Sequence, residues 1–169
     1  METQMKEVTL RQAIEIAIAA EQFNQQMFLG LAAKFRQRAD LVAFWNLYAA
    51  DEVRHAQWIQ GLEAGLDEAA LSRTVDPQTI RSLQAVSNLS VEKALQQVND
   101  LEDAYQLVSE VENGETNAIF RFLFENFERD AQMRDFLRAQ LDKHISRLTN
   151  ELPRYYRSVL TRRGIKAVD

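Results

Sequence analysis

LYAADEVRHAQWI (47–59) and FLRAQLDKHISRL (136–148) hold the only two histidines of the chain, His55 and His144, at the same place in one helical pattern. With the histidines superposed, apolar falls on apolar at Leu47/Phe136, Tyr48/Leu137 and Ile59/Leu148, and basic falls on basic at Arg54/Lys143. A scarce residue able to bind metal thus recurs in register. The repeat points to two related helices facing one site.

Upstream, Leu10, Ile14, Ala17, Glu21, Phe28, Leu31 and Phe35 trace one face of a helix over about 9–39. T-L-R-Q starts it, with Thr9 and Gln12 placed to form a capping box. Asp40 is expected to cap a second helix, about 40–65, carrying Leu41, Phe44, Leu47, Tyr48, Val53, Ile59 and Leu62. Residues 67–89 are richer in Ser and Thr and read as a crossover, with Asp76-Pro77 as N-cap and first residue of a short helix. A third helix, about 90–126, puts Leu101, Tyr105, Val108, Glu112, Ile119, Phe122 and Leu123 on one stripe. A fourth, about 130–152, runs to Pro153, which should kink or stop it.

Short links join the first two helices and the last two, and a long link joins the pairs. The expectation is a single all-α domain over 1–169: a four-helix bundle of two antiparallel hairpins joined by a long crossover, the ferritin-like connectivity. Helices of this length would run about 40–50 Å and must pack along their lengths.

Composition agrees. The chain has 169 residues with five glycines and two prolines, few enough for helix nearly throughout. Its net charge of −5 argues against a general nucleic-acid binder. Cysteine is absent, which excludes disulfides, thiol catalysis and iron–sulfur ligation and fits a reducing cytoplasm. The most apolar stretch, AIEIAIAA (13–20), is far short of the roughly 18 residues that span a bilayer, so a soluble protein is expected. The basic tail, 153–169, reads as a solvated terminal helix or subunit contact. Tyr48, Tyr105, Trp45 and Trp58 read chiefly as packing residues.

Each hairpin offers acids and an imidazole at metal-ligand spacing. In the first these are Glu21 and Glu52-Val53-Arg54-His55, and residues three apart share a helix face. A carboxylate in an apolar stripe, as Glu21 is, is unfavourable unless paired or bound to an ion. In the second hairpin an offset of 91 pairs Leu10/Leu101, Ala17/Val108, Phe28/Ile119 and Leu31/Phe122, and sets Glu112 on Glu21. The offset of 89 that aligns the histidines selects Glu110 instead, but it puts Asn99, Asp103 and Gln106 on the core stripe. Glu112 is preferred and Glu110 is the fallback. His144 lacks the acid three residues before it, because Leu141 stands where Glu52 would. Asp142 should face away, Gln140 could approach as a neutral group, and Glu115, three after Glu112, could supply the missing carboxylate.

Glu21, Glu52-x-x-His55, Glu112 and His144 together resemble the buried ligand set of the ferritin-like superfamily, most closely the rubrerythrin-type di-iron domain, over roughly residues 9–150. A second glutamate on the third helix, like Glu115, also occurs in such sites. The resemblance implies two metal ions held by Glu21, Glu52, His55, Glu112, Glu115 and His144, with a ferroxidase, peroxidase or oxidase activity on peroxide or dioxygen. An oxygen-rich set with two imidazoles suits iron, with manganese or zinc as other occupants. Without cysteine there is no rubredoxin-like domain, so electrons would come from an external donor. A homodimer is expected, with no membrane and no nucleic-acid partner. Leu141 favours a competing possibility, a bundle whose site has decayed and which serves binding or assembly. An oxygenase with an organic substrate is a third.

Overall fold

Thr9 opens the first helix, α1 (Leu10–Lys34), with the expected capping box: its backbone N–H donates to Gln12 Oε1 at 3.0 Å, and Gln12 N–H donates to Thr9 Oγ1 at 3.4 Å. The computed structural model describes residues 7–127, 131–151 and 153–154, excluding the side chains of 115–117, 144, 145, 148 and 149. Among the described residues the regular elements are all helical, and the one β-type pairing is an isolated bridge between Thr9 and Thr74. The chain packs as two units, Met1–Val91 and Glu92–Asp169.

In the first unit α1 lies antiparallel to α2 (Ala39–Ala64). Arg11 reaches Glu63 near one end, and Phe28 meets Trp45 and Tyr48 toward the other. The link between them is longer than the spacing implied. α1 ends at Lys34, not near Ala39, and Arg38, not Asp40, is the N-cap of α2. Asp40 sits within the first turn of α2, where Arg38 holds its carboxylate at 2.6 and 2.9 Å. A negative charge is also favourable there beside the helix's exposed N–H groups.

Phe28, Phe44, Trp45 and Tyr48 form an aromatic core, with Phe44 and Tyr48 ring centroids 4.5 Å apart and Trp45 and Tyr48 at 6.2 Å. Burying each large apolar side chain stabilises by roughly 1.5–3 kcal/mol, which is why these positions hold α1 and α2 together. Trp45 and Tyr48 are thus packing residues, at 0% and 1% exposure.

After α3 (Glu68–Leu71), the chain returns to the start of α1: Leu10 N–H donates to Arg73 C=O at 2.8 Å and Val75 N–H to Val8 C=O at 3.0 Å. Then α4 (Pro77–Ser87) begins as Asp76-Pro77 foretold, with Asp76 Oδ2 accepting from Thr79 N–H at 2.9 Å. It packs on α1, burying Ile80, Leu83 and Val86.

The expected third helix is interrupted. A short α5 (Val91–Gln96) stops, and α6 (Leu101–Glu115) starts afresh. The cause is local: Asp100 Oδ1 accepts from the N–H groups of Glu102 and Asp103 at 2.9 and 3.0 Å, while Asp103 Oδ2 accepts from Asn99 N–H at 2.8 Å. Asn-Asp side chains compete with helix hydrogen bonds and favour a new cap. A π segment, Thr116–Phe120, continues into α7 (Arg121–Phe127), and Ala118, Ile119 and Phe120 are buried in succession. In the second unit α8 (Ala131–Ser146) packs against α7 and the π segment, and a second π segment follows, Arg147–Glu151. No helix among the described residues is long and apolar enough to cross a membrane. The greater part of the basic tail, 155–169, lies outside the described residues.

Candidate metal centre

Antiparallel pairing of α1 and α2 brings Glu21 across from the Glu52–His55 turn. Donor atoms of Glu21, Glu52 and His55 lie within 4.8 Å of one another. His55 Nδ1 is 3.3 Å from Glu52 Oε2, on its own helix, and 3.7 Å from Glu21 Oε2, on the neighbouring one. Glu52 is fully buried, Glu21 is 2% exposed, and the His55 side chain is 11% exposed.

This is an electrostatically demanding place. Burial pushes the Glu52 carboxyl up to about 8, with the nearby Glu21 adding to the rise and His55 opposing it. Oε1 of Glu52 is sealed from solvent and has no hydrogen-bond partner among the described residues. A buried acceptor in that state is costly, and a cation would satisfy it and displace the proton. Two carboxylates and an imidazole converging on one point form a donor set for Fe(II), Mn(II) or Zn(II). The residues present fit a divalent metal ion.

In the second unit Glu112 on α6 is 0% exposed, whereas Glu110 is exposed and pairs with Gln106 at 3.2 Å. The offset of 91 also carries the burial pattern: Leu10, Ala13, Ala17, Ala20, Glu21, Met27, Phe28, Leu31 and Ala32 are buried, and so are Leu101, Ala104, Val108, Val111, Glu112, Ala118, Ile119, Phe122 and Leu123. Of the fourth-helix positions, Asp142 is exposed, while Gln140 and Leu141 are half-buried. The side chains of Glu115 and His144 lie outside the described residues.

Several buried polar residues among the described residues escaped the sequence reading, including Asp51, Asn24 and Arg147. Asp51, 2% exposed, is paired with Arg54 beside the site. Asn24 is 0% exposed one turn beyond Glu21, and Arg147 is 2% exposed three residues beyond His144. The signal for each was the i, i+3 or i, i+4 spacing from a residue already singled out.

The chain matches none of the protein-family models, curated proteins or solved structures with which it was compared.

Proposed function

We propose that this protein is a ferritin-like dimetal protein of rubrerythrin type, an iron-dependent oxidoreductase acting on peroxide or dioxygen or handling iron. The observation that carries it is the convergence of Glu21, Glu52 and His55 inside an apolar helical pair, with their donor atoms within 4.8 Å. In this reading the fold is the expected four-helix bundle, and Glu112, Glu115 and His144 hold a second ion. The burial of Glu112 at the position matching Glu21 supports that assignment.

The chain's own groups have defined tasks. Glu21 and Glu52 neutralise the charge of the incoming ion, and Glu52 gives up the proton that burial otherwise keeps on its carboxyl. His55 turns Nδ1 toward the same point. Tyr48, one turn before Glu52, and Phe28 close an aromatic layer that excludes water from the neighbouring core. Two ferrous ions, when bound, supply the pair of electrons that reduces peroxide or dioxygen, and an external donor restores them, since the chain has no cysteine.

Metal analysis of protein purified without chelator, followed by anaerobic ferrous titration, tests the reading. Uptake approaching two ions per chain, with peroxide-dependent oxidation lost in Glu52→Ala and His55→Ala, is the expected result. Absence of iron, manganese and zinc together with no ferrous uptake refutes it.

A second reading has its own support. Leu141 replaces a carboxylate, and Arg147 puts a buried cation three residues past His144. Both features suit a helical protein whose second half-site no longer holds metal and which serves binding or assembly. That version predicts that His55→Ala with His144→Ala leaves both thermal stability and partner binding unchanged.

A further inference from the structure

Resting on the metal site proposed above, we infer that its two halves fill in order, the first unit, Met1–Val91, before the second. Peroxide reduction then begins only at the metal concentration that fills the second half. The buried charges carry this, counted in each unit by itself. In Met1–Val91 the buried charged residues among the described ones are Glu21, Asp51 and Glu52, all acids. Arg54, itself exposed, pairs with Asp51. The other two acids sit with His55, the donor atoms of the three within 4.8 Å of one another. Oε1 of Glu52 is sealed there with no hydrogen-bond partner among the described residues. An interior with this excess of buried acid is stabilised by a divalent cation.

The second unit differs. Its buried charged residues among the described ones are Glu112 and Arg147, one acid and one base. An incoming divalent ion therefore meets a balanced interior in the second unit and an acidic one in the first. Leu141 widens the difference, because it stands where the repeat would place a counterpart of Glu52. The affinity of an oxygen-rich site for a divalent ion follows the number of its charged ligands.

Order of filling has a chemical consequence. Reduction of one hydrogen peroxide to two waters takes up two protons and two electrons, one electron from each of two ferrous ions, which end ferric. A chain holding only its first ion lacks the second electron. The weaker half thus sets the iron concentration at which the protein becomes active, and the tighter half holds an ion below that concentration without turning peroxide over.

Manganese(II) titration of the full-length, metal-free protein, followed by loss of the aqueous Mn(II) EPR signal, tests this. Expected is one tight ion per chain and a second bound roughly 10- to 100-fold more weakly. His55→Ala should remove the tight step. Glu112→Gln and His144→Ala should each leave the tight step unchanged and weaken or abolish the other. Circular dichroism melts confirm folding, and either of the last two variants suffices should the other fail to fold. With Fe(II) loaded under nitrogen to increasing ratios, peroxide turnover should follow the weak step. Turnover that follows the tight step overturns the inference. Two ions bound with one affinity, or a tight step lost in Glu112→Gln or His144→Ala, overturns it while the two-ion site stands. One ion with no second at any concentration overturns both the inference and the two-ion reading. No binding by the unaltered protein overturns them together with the metal site itself.

Discussion

Nδ1 of His55 stands 3.7 Å from Oε2 of Glu21, a residue of the neighbouring antiparallel helix, and 3.3 Å from Glu52 on its own. The contact joins α1 to α2 where two buried carboxylates, Glu21 and Glu52, lie in their interface. Tyr48, one turn before Glu52 on α2, belongs to the buried aromatic cluster of Phe28, Phe44, Trp45 and Tyr48.

The metal-free protein should lose stability as pH rises. The ordinary pKa of Glu52 is 4.5 and the folded state lifts it to about 8. Between those values the folded chain keeps a proton that the unfolded chain has released. The contribution of this group is therefore complete below 4.5 and is lost as pH rises through about 8. Urea unfolding in chelator from pH 5 to 9 should show a decline from this group of at most about 1.4 kcal/mol per pH unit. A flat or rising curve for the unaltered protein, matched by Glu52→Gln, would contradict the assignment.

Glu52→Gln should separate folding from metal binding. Glutamine imitates the protonated carboxyl, so the metal-free variant should match the unaltered protein near pH 5 and exceed it in stability near pH 9. Its metal affinity should nevertheless fall by about two orders of magnitude, because one of two charges has gone. Paired melts and anaerobic titrations check both halves of the expectation.

Metal should raise the melting temperature only when the site is intact. An ion at a hundred times its Kd adds about 2.7 kcal/mol. For a chain of this size that is a rise of roughly 5–10 °C. Thermal scans with Fe(II) under nitrogen, or with Mn(II) or Zn(II), should show it for the unaltered protein. His55→Ala should abolish the shift while leaving the metal-free melt within a few degrees.

Trp45→Ala should cost roughly 3–5 kcal/mol, because the ring is fully buried against Phe28, Phe44 and Tyr48. Leu47→Ala, two residues on but 56% exposed, should change stability by less than about 0.5 kcal/mol. Denaturant unfolding of the two variants makes the comparison, and equal losses would place Trp45 outside the core.

Thr9→Ala removes the hydroxyl that accepts from Gln12 N–H in the capping box and should cost about 1 kcal/mol. Gln12→Ala should cost a similar or smaller amount. A double variant whose loss falls well short of the sum of the singles would show that the two side chains act as one device.

Much of this was legible in the chain itself. Periodic apolar residues, few glycines and the Thr9 and Asp76 caps announced helices, because helix formation is governed by local spacing and local hydrogen bonds. Glu52 and His55 could be placed on one face for the same reason. The breaks were harder to see. At Asn99-Asp100, side-chain hydrogen bonds compete with an apolar stripe that runs on regardless, and pattern alone does not tell which prevails.

What the residues determined unaided was which side chains could cooperate within a helix. Only the packed structure decided that Glu112 is buried while Glu110 is exposed and that Glu21 comes within reach of His55. Those outcomes turn on the rotation and depth of one helix against another. They are set by the fit of many side chains at once, and burial then changes the protonation of Glu52 in a way no isolated helix could impose.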